Sequence, residues 1–233
     1  MVSIITCTIR DNMMENVFAN YSNQLWKEKE LIIILNNDKI NPKKWQEKAL
    51  HYNNVSIFQI PQTKTLGQCL NYGVAKAKYD IIAKFDDDDY YSPYYLTEAM
   101  AAFRKHRPEL VGKGSTFIYF EKGSILAKRK IGTENRLGKS FIFGGTIMFK
   151  KSLWKKIKFP SIKGAGTDQA FLRKCKIRNI RTYTTSKFNY VYIRRRNPRS
   201  HTFKKLNLYI KRKSRIIGRI RNFKRIVTKN IGT

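Results

Sequence analysis

Four carboxylates stand in a row at Asp86, Asp87, Asp88 and Asp89, directly after the apolar run 81–85, which reads as a short buried strand. Ser92 and Pro93 then read as a helix start, with Ser as cap and Pro at the first helical position. The acids therefore belong to a tight turn between a strand and a helix. Like charges this close disfavour one another's ionised form, and a divalent cation relieves that repulsion. Carboxylate oxygens suit Mg²⁺ or Mn²⁺. A solvated acidic loop is the plain alternative. Two features argue against it: the chain is otherwise strongly basic, and strand ends of an open α/β sheet are where ligands bind.

Asp168 is the next candidate. No acid follows it in the chain. Thr167 is expected to cap a helix whose first turn holds Asp168, and the helix dipole there favours the carboxylate form. A positioned carboxylate is what a general base requires, although a dipole-complementing Asp gives the same pattern. Of the three histidines, His51 and His106 fall on expected helices, whereas His201 follows the basic, irregular segment 194–200. A neutral His is a common metal ligand, and a structural role is the alternative. The basic runs 194–196 and 211–225, interleaved with Tyr190, Tyr192, Phe203 and Tyr209, offer charge and stacking surface to a nucleic acid. No helix-turn-helix, RNA-recognition or zinc-finger signature accompanies them, so nucleic acid is a disfavoured partner.

These residues need a scaffold. Residues 2–8, 30–35, 55–60 and 81–85 read as buried strands. Helical patterns follow the first three: one carrying Val17, Phe18, Tyr21 and Leu25, one opened by Asn41-Pro42, and one over 66–77. Continuous rather than alternating apolar strands imply a parallel sheet covered on both faces. After residue 108 the pattern changes. Residues 110–120 and 124–130 predict a hairpin across Glu121-Lys122-Gly123, and 140–149 a strand broken by Gly144-Gly145, the mark of a bulge or close backbone approach. A loop at 164–168 leads into another helix, and 183–193 is again strand-like.

Length and composition bound the rest. The 233 residues are 42% hydrophobic, enough for a full core, and a formal charge of +32 favours polyanionic partners: nucleic acid, anionic lipid or phosphorylated substrates. Cys7, Cys69 and Cys175 form no CxxC pair or disulfide framework, which makes a reducing compartment the default. The N-terminus reads as a strand, not a signal peptide, and no apolar run approaches the roughly 18 residues of a membrane span.

With these residues laid out, residues 1–203 resemble a GT-A fold glycosyltransferase of the large inverting family 2 type, which uses nucleotide-activated sugars. The run 85–89 followed by Pro93 and Leu96 resembles its D-x-D motif in the D-x-D-D form. The run 66–73, which reads Gly-x-x-x-Asn-x-Gly from Gly67, resembles the segment under the nucleotide, Gly144-Gly145 the strand lining the sugar, and Gly166-Thr167-Asp168 the second acidic motif. His201-Thr202 resembles a late His-Thr pair that completes a metal shell. Two departures stand out: Asn36-Asn37-Asp38-Lys39 where many members have Asp-Asp-Gly-Ser, and Thr167-Asp168 where Glu-Asp is usual.

The resemblance implies a Rossmann-like α/β fold with a mostly parallel sheet, a nucleotide-binding half over 1–108 and an acceptor half over 109–203. It implies a hexosyltransferase-type enzyme moving a sugar, with inversion, from a nucleotide-diphosphate donor (UDP-sugar favoured) to an acceptor hydroxyl in cell-surface or other glycoconjugate synthesis. Asp168 is then the base, Asp88 and His201 the ligands of Mn²⁺ or Mg²⁺, and Thr8, Arg10, Asp38, Gly67, Asn71, Asp86 and Gly145 the nucleotide-sugar contacts. Asp86 is expected to meet the ribose or a metal-bound water, and the cations of 194–199 to help hold the diphosphate. A nucleotidyltransferase or a non-catalytic nucleic-acid-binding protein are the alternatives. The acceptor stays open: a glycan, a lipid-linked sugar or a protein.

The remainder, 204–233, is a basic amphipathic tail. Residues 204–229 hold eleven Lys or Arg and no acid. Leu206, Tyr209, Ile210, Ile216, Ile217, Ile220, Phe223 and Val227 recur at three- and four-residue steps, which predicts one basic amphipathic helix. Such a helix suits an anionic membrane surface, with the enzyme cytoplasmic and peripheral; packing of its apolar stripe on the domain is the alternative.

Overall fold

The computed structural model describes residues 1–197 and 207–231. Its first half alternates strand and helix: β1 (Val2–Thr8), α1 (Met14–Ser22), β2 (Lys29–Leu35), α2 (Pro42–Ala49), β3 (Val55–Gln59), α3 (Leu66–Lys76) and β4 (Ile81–Lys84). A two-residue β5 (Tyr90–Tyr91) and α4 (Tyr95–His106) follow. The second half holds β6 (Leu110–Lys113), β7 (Ser115–Phe120), β8 (Ile125–Lys130), β9 (Arg136–Leu137), β10 (Met148–Lys150), α5 (Lys151–Lys156), α6 (Thr167–Ile177), β11 (Thr182–Thr185) and β12 (Tyr190–Arg194). The C-terminal segment contributes α7 (Asn207–Arg212), β13 (Arg215–Arg219) and α8 (Lys224–Val227).

The large sheet has the order β3-β2-β1-β4-β10-β6-β11-β9. Its first four strands are parallel, as their unbroken apolar sequences require, and β10 runs antiparallel to both β4 and β6. The pleat sorts the side chains into two cores. Ile4, Leu31, Ile33 and Ala83 join α1, α2 and α4 on one face. Ile5, Ile32, Ile34 and Ile82 join α3, α5 and α6 on the other.

Several local expectations are corrected. The apolar run 110–120 is not one strand but two, β6 in the large sheet and β7 in a second sheet of order β13-β8-β7-β12-β5. The switch falls at Gly114, whose carbonyl accepts from the amides of Ile131 (3.1 Å) and Gly132 (2.7 Å) and whose position leaves no room for a Cβ against Thr133. The run 183–193 divides the same way into β11 and β12. Residues 140–149 supply only β10, because Gly144–Thr146 forms a 3-10 turn. Ser92 does not cap α4, which starts at Tyr95; its hydroxyl donates instead to Asn189 Oδ1 (2.7 Å). Thr167 does not cap α6 either: Gly166, at φ +112°, takes that position. The β7–β8 hairpin forms as expected.

The C-terminal segment is not one helix. Ile210 of α7 packs on Ile118, Phe120 and Ala127, and Val227 of α8 packs on Phe117, Tyr119, Leu126, Val191 and Ile193. Alternate residues of β7 face opposite ways, so α7 and α8 cover opposite faces of the second sheet while β13 closes its edge against β8. The three- and four-residue spacing came from residues serving different surfaces, and β-branched Ile216 and Ile217 beside Gly218 favour the strand between them. Asn189 accepts the Lys229 amide (2.9 Å) on its side chain and donates its own amide to the Val227 carbonyl (2.8 Å), fastening the segment's end beside β5 and β12. Among the described residues no helix is long and apolar enough to cross a membrane.

A buried ion pair ties the two sheets to α4. Lys113 Nζ lies 2.9 Å from Glu98 and also donates to Thr185 Oγ1 (3.0 Å) and the Ser186 carbonyl (2.8 Å). Glu98 in turn accepts from the Ser186 amide (3.0 Å) and Asn189 Nδ2 (3.0 Å). Breaking a buried pair by removing one charge leaves the other uncompensated, at a cost of about 3–5 kcal/mol. Glu98→Gln is therefore expected to lower unfolding stability by that amount, read from urea denaturation with intrinsic fluorescence.

Candidate active site

The four acids begin where β4 ends, at the carboxyl edge of the parallel strands. Phe85 and Tyr91 stack behind the turn with ring centroids 3.7 Å apart, and the side-chain amides of half-buried Asn16 and buried Asn20 donate to the carbonyls of Asp87 (2.7 Å) and Asp89 (3.0 and 2.9 Å). The turn is thus held by its backbone, and its four side chains do different things.

Asp89 is architectural. It is fully buried, accepts from the Tyr190 hydroxyl and from the Ile193 amide (3.0 Å), and burial together with Asp88 and Asp86 pushes its carboxyl well above the ordinary range. Asp87 is also buried and is held by the Thr8 hydroxyl and by Arg10 (Nε, 3.0 Å); burial raises its carboxyl against the pull of Arg10. Asp86 and Asp88 take the other two positions. Asp86 accepts from Lys84, and its amide donates to the Tyr91 hydroxyl (2.8 Å), which donates to the Gly145 carbonyl (2.6 Å). Asp88 lies 2.9 Å from Arg10, and its carbonyl accepts from Arg195 (3.0 Å). At the D-x-D spacing, Asp86 and Asp88 thus pair with Lys84 and Arg10, while Asp89 is tied into the second sheet.

Asp168 sits in the first turn of α6, entered through the left-handed Gly166. Its Oδ2 is 3.1 Å from Lys84 Nζ, and its Oδ1 is buried without a protein partner. Burial pushes this carboxyl up, Lys84 pulls it back and Asp86 pushes it up again, leaving it raised. Burial opposes the Lys84 ammonium, but Asp168 and Asp86 outweigh it and hold it well above its ordinary value. The 3-10 turn at Gly144–Thr146 runs between the acidic turn and Asp168. A Cβ at Gly144 would lie 2.5 Å from Asp168 Oδ2. One at Gly145 would lie 2.9 Å from Asp86 Oδ2 and 3.0 Å from Asp89 Oδ2. The glycine pair is what lets carboxylates approach this backbone from both sides.

Of the residues expected from sequence, the structure gathers Thr8, Arg10, Asp86, Asp88, Gly145 and Asp168. Gly67 and Asn71 are elsewhere: Gly67 gives the Pro160 carbonyl room, and the Asn71 amide donates to the Phe159 carbonyl (2.9 Å) while accepting from Trp154 Nε1 (2.8 Å) and the Phe159 amide (3.0 Å). Both thereby hold the segment that leads to Asp168. Asp38 is exposed and accepts from the Gln62 amide (3.2 Å). His201 lies outside the described residues. Lys84 was not singled out by sequence reading, and a lysine inside an otherwise apolar strand was the available signal for it; Tyr190 was read only as a stacking surface and Arg195 only as part of the basic run 194–199.

The donor set fits a hard divalent cation. Asp86 and Asp88 present carboxylate oxygens on one turn, and among the described residues no group of three or more His, Cys, Asp or Glu is assembled to hold a metal alone. Mg²⁺-type sites of this kind use one or two carboxylates and complete the shell with water and substrate phosphates.

The model of glycosyl transferase family 2 matches residues 3–174, which spans β1, the acidic turn, the glycine pair and Asp168. The chain belongs to this family. It is 32% identical over 163 residues to the O-antigen biosynthesis glycosyltransferase WbnJ of Escherichia coli, covering 66% of this chain and 63% of that relative. Among solved structures, S. aureus TarS 1–349 in complex with UDP-GlcNAc superposes with a TM-score of 0.70 at 18% identity, over 88% of this chain and 61% of that one. A mannosyltransferase from Pyrobaculum calidifontis in complex with GDP-Man and Mn²⁺ superposes with a TM-score of 0.61 at 15% identity, over 82% of this chain and 56% of that one. The chain thus spans less than two thirds of these relatives, and its α/β architecture is the GT-A fold expected for the family.

For this family 2 chain the contact between Gly144 and Asp168 is directly testable. Gly144→Ala forces a methyl group onto the Asp168 carboxylate and is expected to lower turnover about 10²-fold, the cost of a misplacement near 1 Å in an enzyme site. Circular dichroism should remain that of the parent.

Proposed function

We propose that this chain is an inverting, divalent-metal-dependent glycosyltransferase that moves a sugar from a nucleotide-diphosphate donor to an acceptor hydroxyl. The observation that carries this is the opposed pair of acidic groups: the acidic turn on one side of Gly144-Gly145 and Asp168 on the other. In the reaction, the acceptor oxygen attacks the anomeric carbon from the face opposite the diphosphate. Asp168 takes the hydroxyl proton, the bond from the anomeric carbon to the diphosphate oxygen breaks, and nucleoside diphosphate leaves. The buried, unpartnered Asp168 Oδ1 is suited to receive that proton. In this reading Arg10 and Arg195 would bring positive charge to the leaving diphosphate, and Asp86 would meet the ribose or a metal-bound water. Asp88 would hold Mn²⁺ or Mg²⁺, with His201 the second ligand that the sequence resemblance implies, and the ion would supply Lewis-acid stabilisation of charge on the leaving diphosphate.

The relatives support the donor class. One fold neighbour is in complex with UDP-GlcNAc and another with GDP-Man and Mn²⁺, and the curated relative is named for O-antigen biosynthesis. A UDP-sugar donor and a cell-surface glycoconjugate acceptor are the reading these favour. The test is a panel of nucleotide sugars with Mn²⁺ or with chelator, assayed for released nucleoside diphosphate; pyrophosphate release would instead indicate nucleotidyl transfer. Asp168→Asn is expected to lower turnover by about 10²–10⁴ with donor KM nearly unchanged. Asp88→Asn is expected to abolish the Mn²⁺-dependent part of nucleoside diphosphate affinity in calorimetric titration.

A second feature bears on the acceptor. Residues 207–231 carry nine Lys or Arg and no acid, and Leu208, Ile216, Ile217 and Ile226 are exposed among them. With α7 and α8 committed to the second sheet, the exterior of this wrap, rather than a free helix, is the surface offered to an anionic membrane. Each cation near such a surface is worth about 1 kcal/mol. Truncation is a poor test, because it also uncovers the sheet. Charge reversal at exposed Lys213, Arg215, Arg219 and Arg221 is expected to abolish co-sedimentation of the full chain with phosphatidylserine vesicles and leave turnover on a soluble acceptor unchanged. Equal pelleting of both proteins would refute membrane docking.

A further inference from the structure

Lys84 is a charge where the strand wants none. It lies on the face of β4 that carries Ile82 into the core beneath α3, α5 and α6, in a strand otherwise made of Ile81, Ile82 and Ala83, and its side chain is 3% exposed. An ammonium group has three donors and no acceptor. Those of Lys84 reach Asp86, Asp168 Oδ2 at 3.1 Å and the Gly144 carbonyl at 3.3 Å. These three acceptors come from three separate segments: the acidic turn, the 3-10 turn and the first turn of α6. Among the described residues, Lys84 is the cation that acts on Asp168. Beside it stand Gly144, Gly67 below through Thr167, and the buried Thr167 hydroxyl.

Asp86 and Asp168 are like charges held on either side of one glycine turn in a buried setting. Without a cation between them they repel, and among the described residues Lys84 is the ion-pair partner of the Asp168 carboxylate, whose Oδ1 has no hydrogen-bond partner. An isolated buried ammonium is costly, so the position is stable only because both carboxylates are present. Each of the three groups therefore depends on the other two.

We infer that Lys84 is a positioning residue for glycosyl transfer, holding the Asp168 carboxylate at a fixed place relative to the donor-side carboxylate Asp86 by bridging the two across Gly144. This rests on the reading of Asp168 as the base. Lys84 itself touches neither the anomeric carbon nor the acceptor; it acts through Asp168. The bridge also spans the two halves of the chain, since Asp86 follows β4 of the nucleotide half and Asp168 opens α6 of the other.

The experiment is a double-mutant cycle on Lys84→Met and Asp168→Asn in the full chain, with Lys84→Arg as the conservative control. Turnover, donor KM and chelator-treated melting temperature are read for each. Lys84→Met is expected to lower turnover at least tenfold with donor KM changed less than threefold. Lys84→Arg, whose planar fork can span two carboxylates, should recover most of that loss. The double variant should turn over no more slowly than Asp168→Asn alone, within threefold, because the lysine acts through the aspartate. In chelator, Lys84→Met should lower the melting temperature and the added Asp168→Asn should raise it again by removing one of two repelling charges. Multiplying losses in turnover, or a further fall in melting temperature in the double variant, would overturn the inference while leaving an inactive Asp168→Asn chain as evidence for the base. A fully active Asp168→Asn chain would remove the base and this inference together. If Lys84→Met alone cannot be purified, the double variant is expected to be purified, and its failure would equally overturn the inference.

Discussion

The structure depends on the placing of negative charge at the end of β4. Asp86, Asp87, Asp88 and Asp89 leave the sheet together, three of them buried, in a setting where each disfavours the ionisation of its neighbours. The surrounding elements are arranged to make this tolerable. Strand β1 ends in Thr8, and Thr8 together with Arg10 just beyond it holds Asp87 and Asp88. Helix α1 sends Asn16 and Asn20 to the backbone of the turn. Strand β12 brings Tyr190 and the Ile193 amide to Asp89, and β4 supplies Lys84. The formal charge of +32 is mostly elsewhere, and the few cations that touch the acids are specific and buried or half-buried.

The same constraint explains the second sheet. Residues 110–120 and 182–194 each serve both sheets, and the crossing lets β12 reach the acidic turn while β11 stays in the large sheet. Lys113, Glu98, Ser186 and Asn189 fill the crossing with a satisfied polar network, and Asn189 continues that network to the end of the C-terminal wrap. The wrap is therefore connected to the acids through β5 and β12, not appended to the domain. Lining up Asp168 opposite the turn then needs only local devices: a left-handed Gly166 to start α6 and two glycines to admit carboxylates on both sides of one backbone segment.

Much of this was legible in the sequence. Strands β1 to β4 show as continuous apolar runs because both of their faces are covered, and the acids show because they stop such a run. Asn41 before Pro42 marks α2 correctly, its side chain accepting from the Lys43 amide. Gly144-Gly145 announced a close approach, and the structure supplies what approaches: Asp168 and Asp86. What escaped reading were tertiary choices with weak local signatures. An apolar run does not say where it changes sheets, so Gly114 passed unnoticed. Ser92 and Thr167 are good caps by type, but Ser92 is committed to Asn189 and Gly166 has the backbone freedom that the start of α6 requires. The C-terminal periodicity was real, yet it came from three short elements packed on different surfaces. Lys84 was visible only as an oddity, since its partners lie two and 84 positions away in sequence.

The central claim is that donor and acceptor meet on opposite sides of one anomeric carbon, between the acidic turn and Asp168. The configuration of the released sugar tests it most directly and requires no knowledge of the natural acceptor. Donor is incubated with enzyme and Mn²⁺ in the absence of acceptor, and the first anomer formed by slow hydrolysis is followed by proton NMR before mutarotation. The account predicts the anomer opposite to that of the donor. Initial release of the donor's own anomer would contradict it.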